Sequence, residues 1–207
     1  MLTRFMADNV ALVLAVWAVI YASDYCLTII GARFYLAMAR EHTLVEGSYE
    51  LTPIFQKDVN ALRLFSPQFW IRWISSLLII LLAWLVFVLY AHLPEIFSIL
   101  GGGLILREVV VHMRHGRNLF LFVSARNAQA WRSRIQYPRW LTLKMSAFEF
   151  FEFAILFTAL ALVVQEWFFV GGGLSCLLTG RQHWALGRAA QLASNHANPD
   201  DALSARK

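Results

Sequence analysis

Between Trp73 and Ala91 the chain reads "WISSLLIILLAWLVFVLYA", nineteen residues without one charged side chain. A run of this length has few options. About 20 consecutive apolar residues are what a helix needs to cross the hydrocarbon core of a bilayer. Three further stretches resemble it, giving spans expected at about 9–32, 68–93, 94–124 and 145–168. The second opens on Ser66-Pro67, a good N-cap followed by a first-turn proline. Composition points the same way: 59% of the residues are hydrophobic and only 15% are charged, with a mean hydropathy of +0.56. A soluble fold could not cover that much apolar surface. The expected class is an all-α integral membrane protein, a polytopic bundle of about four transmembrane helices, integral to a cell membrane.

The segments between the spans carry their own signals. "PIFQKDVNALRLF" sets Ile54, Phe55, Val59, Leu62 and Phe65 on one helical side, predicting an interfacial helix at about 53–65. "VGGGLSCLLTG" is too short to span, which predicts a kinked, re-entrant or interfacial segment at about 169–180. Residues 1–190 then form one transmembrane domain and 191–207 a flexible polar tail. The two GGG triplets, 101–103 and 171–173, read as local helix breakers. No cleavage site follows the first apolar run, so a span is expected there and not a cleaved signal.

Charge sets the expected orientation. The net charge of +5 would suit nucleic acid, but the basic residues lie between the apolar runs, where anionic headgroups are met, so nucleic acid is not expected. No acidic residue occurs between Glu108 and Glu149, whereas seven Lys and Arg lie between His112 and Met145. The 125–144 link is therefore expected on the cytoplasmic side, lipid headgroups are expected along 114–144, and four crossings put both termini outside. Cys26 and Cys176 have no metal or redox spacing and read as small buried hydrophobes.

Within this apolar frame the ionisable residues are the candidates for function, because each costs at least about 2.5–3.5 kcal/mol at mid-membrane. Glu108, His112 and His115 are spaced i, i+4, i+7 on the third span, and Asp24, Thr28 and Gly31 likewise on the first. Glu149 and Glu152 are i, i+3 on the fourth. In the first link, His42, Glu46 and Glu50 are secondary candidates at i, i+4, i+8. Carboxylates and imidazoles from facing helices build transition-metal sites in bundle cores. The expected ligands are Glu108, His112 and His115, with Asp24 or Glu152 completing the site as catalytic groups and Glu149 in reserve. Arg114 and Arg117 are placed to hold an anionic group such as a lipid phosphate.

Plainer roles exist for each residue. Glu108 can pair with Arg107 or Arg114, Asp24 can make an interhelical hydrogen bond, and Glu149 and Glu152 can neutralise Arg139 or Lys144. Three functions follow. One is a membrane-embedded metal-dependent hydrolase on a lipid-linked or peptide substrate, using Zn, Fe or Mn. The others are a small proton- or cation-coupled transporter or channel, and a non-catalytic subunit of a homo-oligomer or larger membrane complex.

Overall fold

The computed structural model describes residues 1–40, 43–45, 54–125 and 135–196. The chain is helical, with four helices long and apolar enough to cross a membrane: Val10–Ala39, Pro67–Tyr90, Pro94–Ser124 and Arg139–Val164. A short α1 (Leu2–Asp8) precedes α2 (Val10–Phe34), which runs on as a π-helical turn, Tyr35–Ala39. After α3 (Gln56–Asn60) come α4 (Pro67–Trp84), also extended by a π turn, and α5 (Pro94–Ala125). The last two are α6 (Arg139–Val164) and α7 (Trp167–His196). Thr43–Val45 and Ile135–Tyr137 form a small parallel ladder, Thr43 opposite Ile135.

Side-chain contacts give the directions. The indole Nε1 of Trp17 donates to Ser76 and that of Trp84 to the Ala7 carbonyl, so α4 runs antiparallel to α2. Ser23 meets His112 and Thr28 meets His115, so α2 and α5 run parallel. Along α6 and α7, Thr158 faces Gly173, Ser146 faces His183 and Lys144 reaches Gln191, an antiparallel pair in contact over most of its length.

Several boundaries differ from those expected of the sequence. The stretch at 169–180 is not a separate segment: it is the first half of α7, which continues unbroken to His196, into the residues expected to be a loose tail. Residues 191–196 consequently lie beside the start of α6, at the end of the bundle opposite α1, whereas four crossings alone would bring both ends together. The fourth span begins at Arg139, after Pro138, and stops at Val164 because Gln165 takes a left-handed conformation (φ 55°). The interfacial helix shrinks to α3, because Leu62 is left-handed (φ 51°). Its buried Asp58 accepts from the Ser66 hydroxyl, which also caps α4 by accepting from the Phe69 amide at 3.3 Å. Only part of the anticipated apolar side is used: Val59 is buried and Phe55 and Leu62 pack near it, while Phe65 stays exposed.

The triglycines are contact surfaces and not breakers. A Cβ on Gly171 would overlap the Ile99 carbonyl oxygen, and one on Gly102 would overlap that of Phe168. Gly103 would come within 3.2 Å of the Gly171 oxygen. Two parallel helices thus touch backbone to backbone, the small-residue packing that joins helices where lipid offers no hydrophobic drive. Gly171→Ala is expected to destabilise the protein by about 1–3 kcal/mol, as other overpacked sites do. Gly116→Ala adds a Cβ with nothing within 4 Å. It is expected to be neutral or to gain about 0.5–1 kcal/mol by removing a mid-helix glycine. Equal melting shifts for the two variants in detergent would contradict this packing.

At this same end, Glu166 in the α6–α7 turn holds the start of α1. Its carboxylate binds the Met1 amino group and accepts from the Leu2 and Thr3 amides at 2.9 and 3.1 Å. Those bonds, the amino group's first, hold the Glu166 carboxyl down at about 2, below its ordinary 4.5. A depressed carboxyl stabilises the fold fully above pH 4.5 and loses that contribution as pH falls toward 2. Protection of the Leu2–Asp8 amides, taken relative to the intrinsic exchange rate at each pH, should therefore fall in acid, and fall already at neutral pH in Glu166→Gln.

Candidate metal centre between α2 and α5

α5 places its ionisable residues on two faces. The i, i+4, i+7 row of Glu108, His112 and His115 turns toward α2, where it meets Ser23, Asp24 and Thr28. Arg114 and Arg117 turn toward α6. Because α2 continues to Ala39 and α5 is one helix to Ala125, Asp24 and Glu108 both lie near the middle of their spans.

Asp24, Glu108 and His112 offer ligand atoms that all lie within 4.8 Å of one another. Glu108 is buried, 5% exposed, and one carboxylate oxygen accepts from Arg107 Nη2 at 2.5 Å and Nε at 3.2 Å. His112 Nδ1 is 2.7 Å from the carbonyl of Glu108, one turn back. A carbonyl only accepts, so Nδ1 carries the proton, and in the neutral ring Nε2 keeps its lone pair. Ser23 Oγ stands 2.7 Å from that Nε2 and 2.9 Å from the Ile20 carbonyl.

His115 takes a different position from the one its spacing suggests. Its Nε2 lies 3.0 Å from Asp24 Oδ1 and 3.3 Å from Thr28 Oγ1. It therefore donates to Asp24 and stands behind the cluster, not in it. His115 Nδ1 is buried without a hydrogen-bond partner among the described residues. The geometry thus brings Asp24, not His115, together with Glu108 and His112, and places His115 on Asp24. Ser23 is the residue that periodicity does not flag; its only signal is its place beside Asp24.

The donor set is two carboxylates and an imidazole, suited to Zn²⁺, Fe²⁺ or Mn²⁺. Ligands on a zinc-sized ion sit at bonds of about 2.1 Å, so the three atoms would have to draw closer than their present spread to share one ion. His112 anchored through Nδ1, with Nε2 on the Ser23 hydroxyl, and Asp24 held by an imidazole resemble the supports that metal ligands ordinarily have. Electrostatics agree. Two carboxyl side chains meet beside one guanidinium, an arrangement that a cation or a proton suits.

The other candidates lie elsewhere. Arg114 Nε and Arg117 Nη1 both donate to Glu149, at 2.7 and 3.0 Å, and Arg114 also lies 4.8 Å above the Phe150 ring. The two guanidiniums expected to hold phosphate are thus bound to a carboxylate of α6, although Arg114 Nη2 remains buried without a partner among the described residues. Glu152 does not approach Asp24: it lies on the exposed face of α6 and has no hydrogen-bond or ion-pair partner among the described residues. His42, Glu46 and Glu50 lie outside the described residues.

The side chains of Arg114 and Glu149 are each 14% exposed, so Glu149→Ala leaves a charge stranded in the interior. Removing one partner of such a pair costs about 3–5 kcal/mol. Arg117 is 54% exposed, and Arg117→Ala should cost less than about 1 kcal/mol. Thermal unfolding of the two variants in detergent measures the contrast.

Set beside known proteins, the chain matches no family model, no curated protein and no solved structure, so what the centre does rests on its own geometry.

Proposed function

We propose that this chain is a membrane-embedded, metal-dependent hydrolase whose substrate is itself held in the bilayer. The observation that carries this reading is the convergence of Asp24, Glu108 and His112 near mid-span, with His112 Nε2 left as a lone pair. Three protein donors leave coordination positions open, as catalytic sites do and closed structural sites do not. A divalent ion there would make a bound water acidic enough to act as a nucleophile at neutral pH. The protein's own part is to hold that ion and to keep Asp24 oriented through His115. Arg107 limits the charge on Glu108. Depth supports the substrate class, because a centre between two spans is reached most directly from within the membrane.

A second reading, a proton relay, is favoured by the hydrogen-bonded groups that continue from the cluster: Ser23 on His112, and His115 and Thr28 on Asp24. A proton would then take the place of the cation.

Metal analysis separates the two. The metal-stripped protein in detergent is expected to take up about one equivalent of Zn²⁺ or Mn²⁺ per chain. Asp24→Asn, Glu108→Gln and His112→Ala should each weaken uptake by about 10–100-fold or more, since even supporting residues have effects of that size. Failure of the intact protein to bind, with proton flux in proteoliposomes that Asp24→Asn abolishes, would replace the hydrolase with the relay.

A further inference from the structure

The outer face of α6 carries a charge that no described residue answers. Glu152 lies midway along Arg139–Val164, exposed, among Phe148, Ile155 and Leu156, which are 57%, 72% and 47% exposed. A carboxylate at that depth is costly against lipid, and such residues face protein or a partner charge. The face that bears Glu152 is therefore one that meets protein.

α7 supplies the matching charge without reaching it. Arg181 is exposed and likewise has no hydrogen-bond or ion-pair partner among the described residues. Its neighbour Gly180 packs against Phe151 and Ala147 of α6, so Arg181 stands within about one helical turn of Glu152 in depth. Between the two helices runs an apolar groove of about 700 Å³, with Ala154, Thr158 and Gly173 among its lining. Ile155 and Ala159 line it from α6, and Glu152 precedes them at three and seven residues. Leu174 and Leu177 line it from α7, and Arg181 follows them at seven and four. Both spacings keep a residue on one helical face. The groove thus ends with a carboxylate on one wall and a guanidinium on the other.

A twofold axis along the membrane normal preserves depth. Two copies facing each other across this groove bring Glu152 of each opposite Arg181 of the other, a self-complementary arrangement that closes as a dimer. We propose that the α6–α7 face binds a second copy of this chain through two Glu152–Arg181 pairs, with the small residues of the groove admitting the partner's side chains. This proposal is independent of the metal centre.

The intact chain in nanodiscs or mild detergent tests it by light scattering coupled to size exclusion. The wild type is expected to be a dimer. Glu152→Arg and Arg181→Glu should each raise the dissociation constant at least about tenfold, by placing like charges together in a desolvated contact. The double exchange should recover dimerisation, because it restores both pairs. A monomeric wild type, including one that pairs only with a different membrane protein, would overturn the proposal, as would a dimer indifferent to both single changes. Should the charge reversals fail to fold, Ile155→Cys in a Cys26→Ser background probes the same face. It should form an oxidised dimer in membranes, and its failure to do so counts against this interface.

Discussion

In lipid two apolar helices gain little by touching, because the acyl chains they displace are as apolar as their own side chains. What holds this bundle must come from contact closer than lipid can make, and the triglycines of α5 and α7 provide it. With no side chains at the crossing, the Gly171 and Gly103 backbones meet directly, and Ile99 and Phe168 carbonyls approach where a methyl group would not fit. The contact fixes α7 against α5. Farther along the same pair, Val110, Phe150 and Cys176 close the three-helix core with α6.

α5 then stands between two kinds of neighbour. On one side it meets α2 through polar groups, and on the other it meets α6 and α7 through packing and one bridged ion cluster. This explains how so many charges are tolerated. In the Arg114–Glu149–Arg117 group one carboxylate takes both guanidiniums and so braces α5 on α6. The Asp24, Glu108 and His112 group brings three ligand atoms together with Arg107 on Glu108. Two polar sites on one helix thus divide into a brace and a centre according to whether a carboxylate is taken up by arginines or converges with other ligand atoms.

Much of this was legible in the residues. Span lengths announced the four long helices, and the seven-residue rows on the first and third spans announced which faces would meet. The separation of Glu108 and His112 from Arg114 and Arg117 follows from helical periodicity alone. Other features were not readable. Periodicity gives a face but not a partner, so it could not show that His115 would donate to Asp24 or that Glu149 would draw in both arginines. The glycines misled for a related reason: a GGG triplet weakens an isolated helix, but pressed against another backbone it is a contact site. Glu152 is i+3 from Glu149 on the fourth span, yet Glu149 pairs with α5 while Glu152 is exposed, and the spacing alone does not show which of the two meets a neighbour.

The clamp on α1 has a consequence for the order of assembly. The first amides of a helix have no partner within it, and here those of Leu2 and Thr3 wait for a carboxylate more than 160 residues later in the chain. During synthesis that carboxylate emerges after α6 is complete. α1 can lean on α5 earlier, through Met6 against Gly101 and Thr3 on Ser98. Its cap exists only once the α6–α7 turn has formed. The beginning of the chain is therefore among the last parts to be locked in place, and its docking marks a finished bundle.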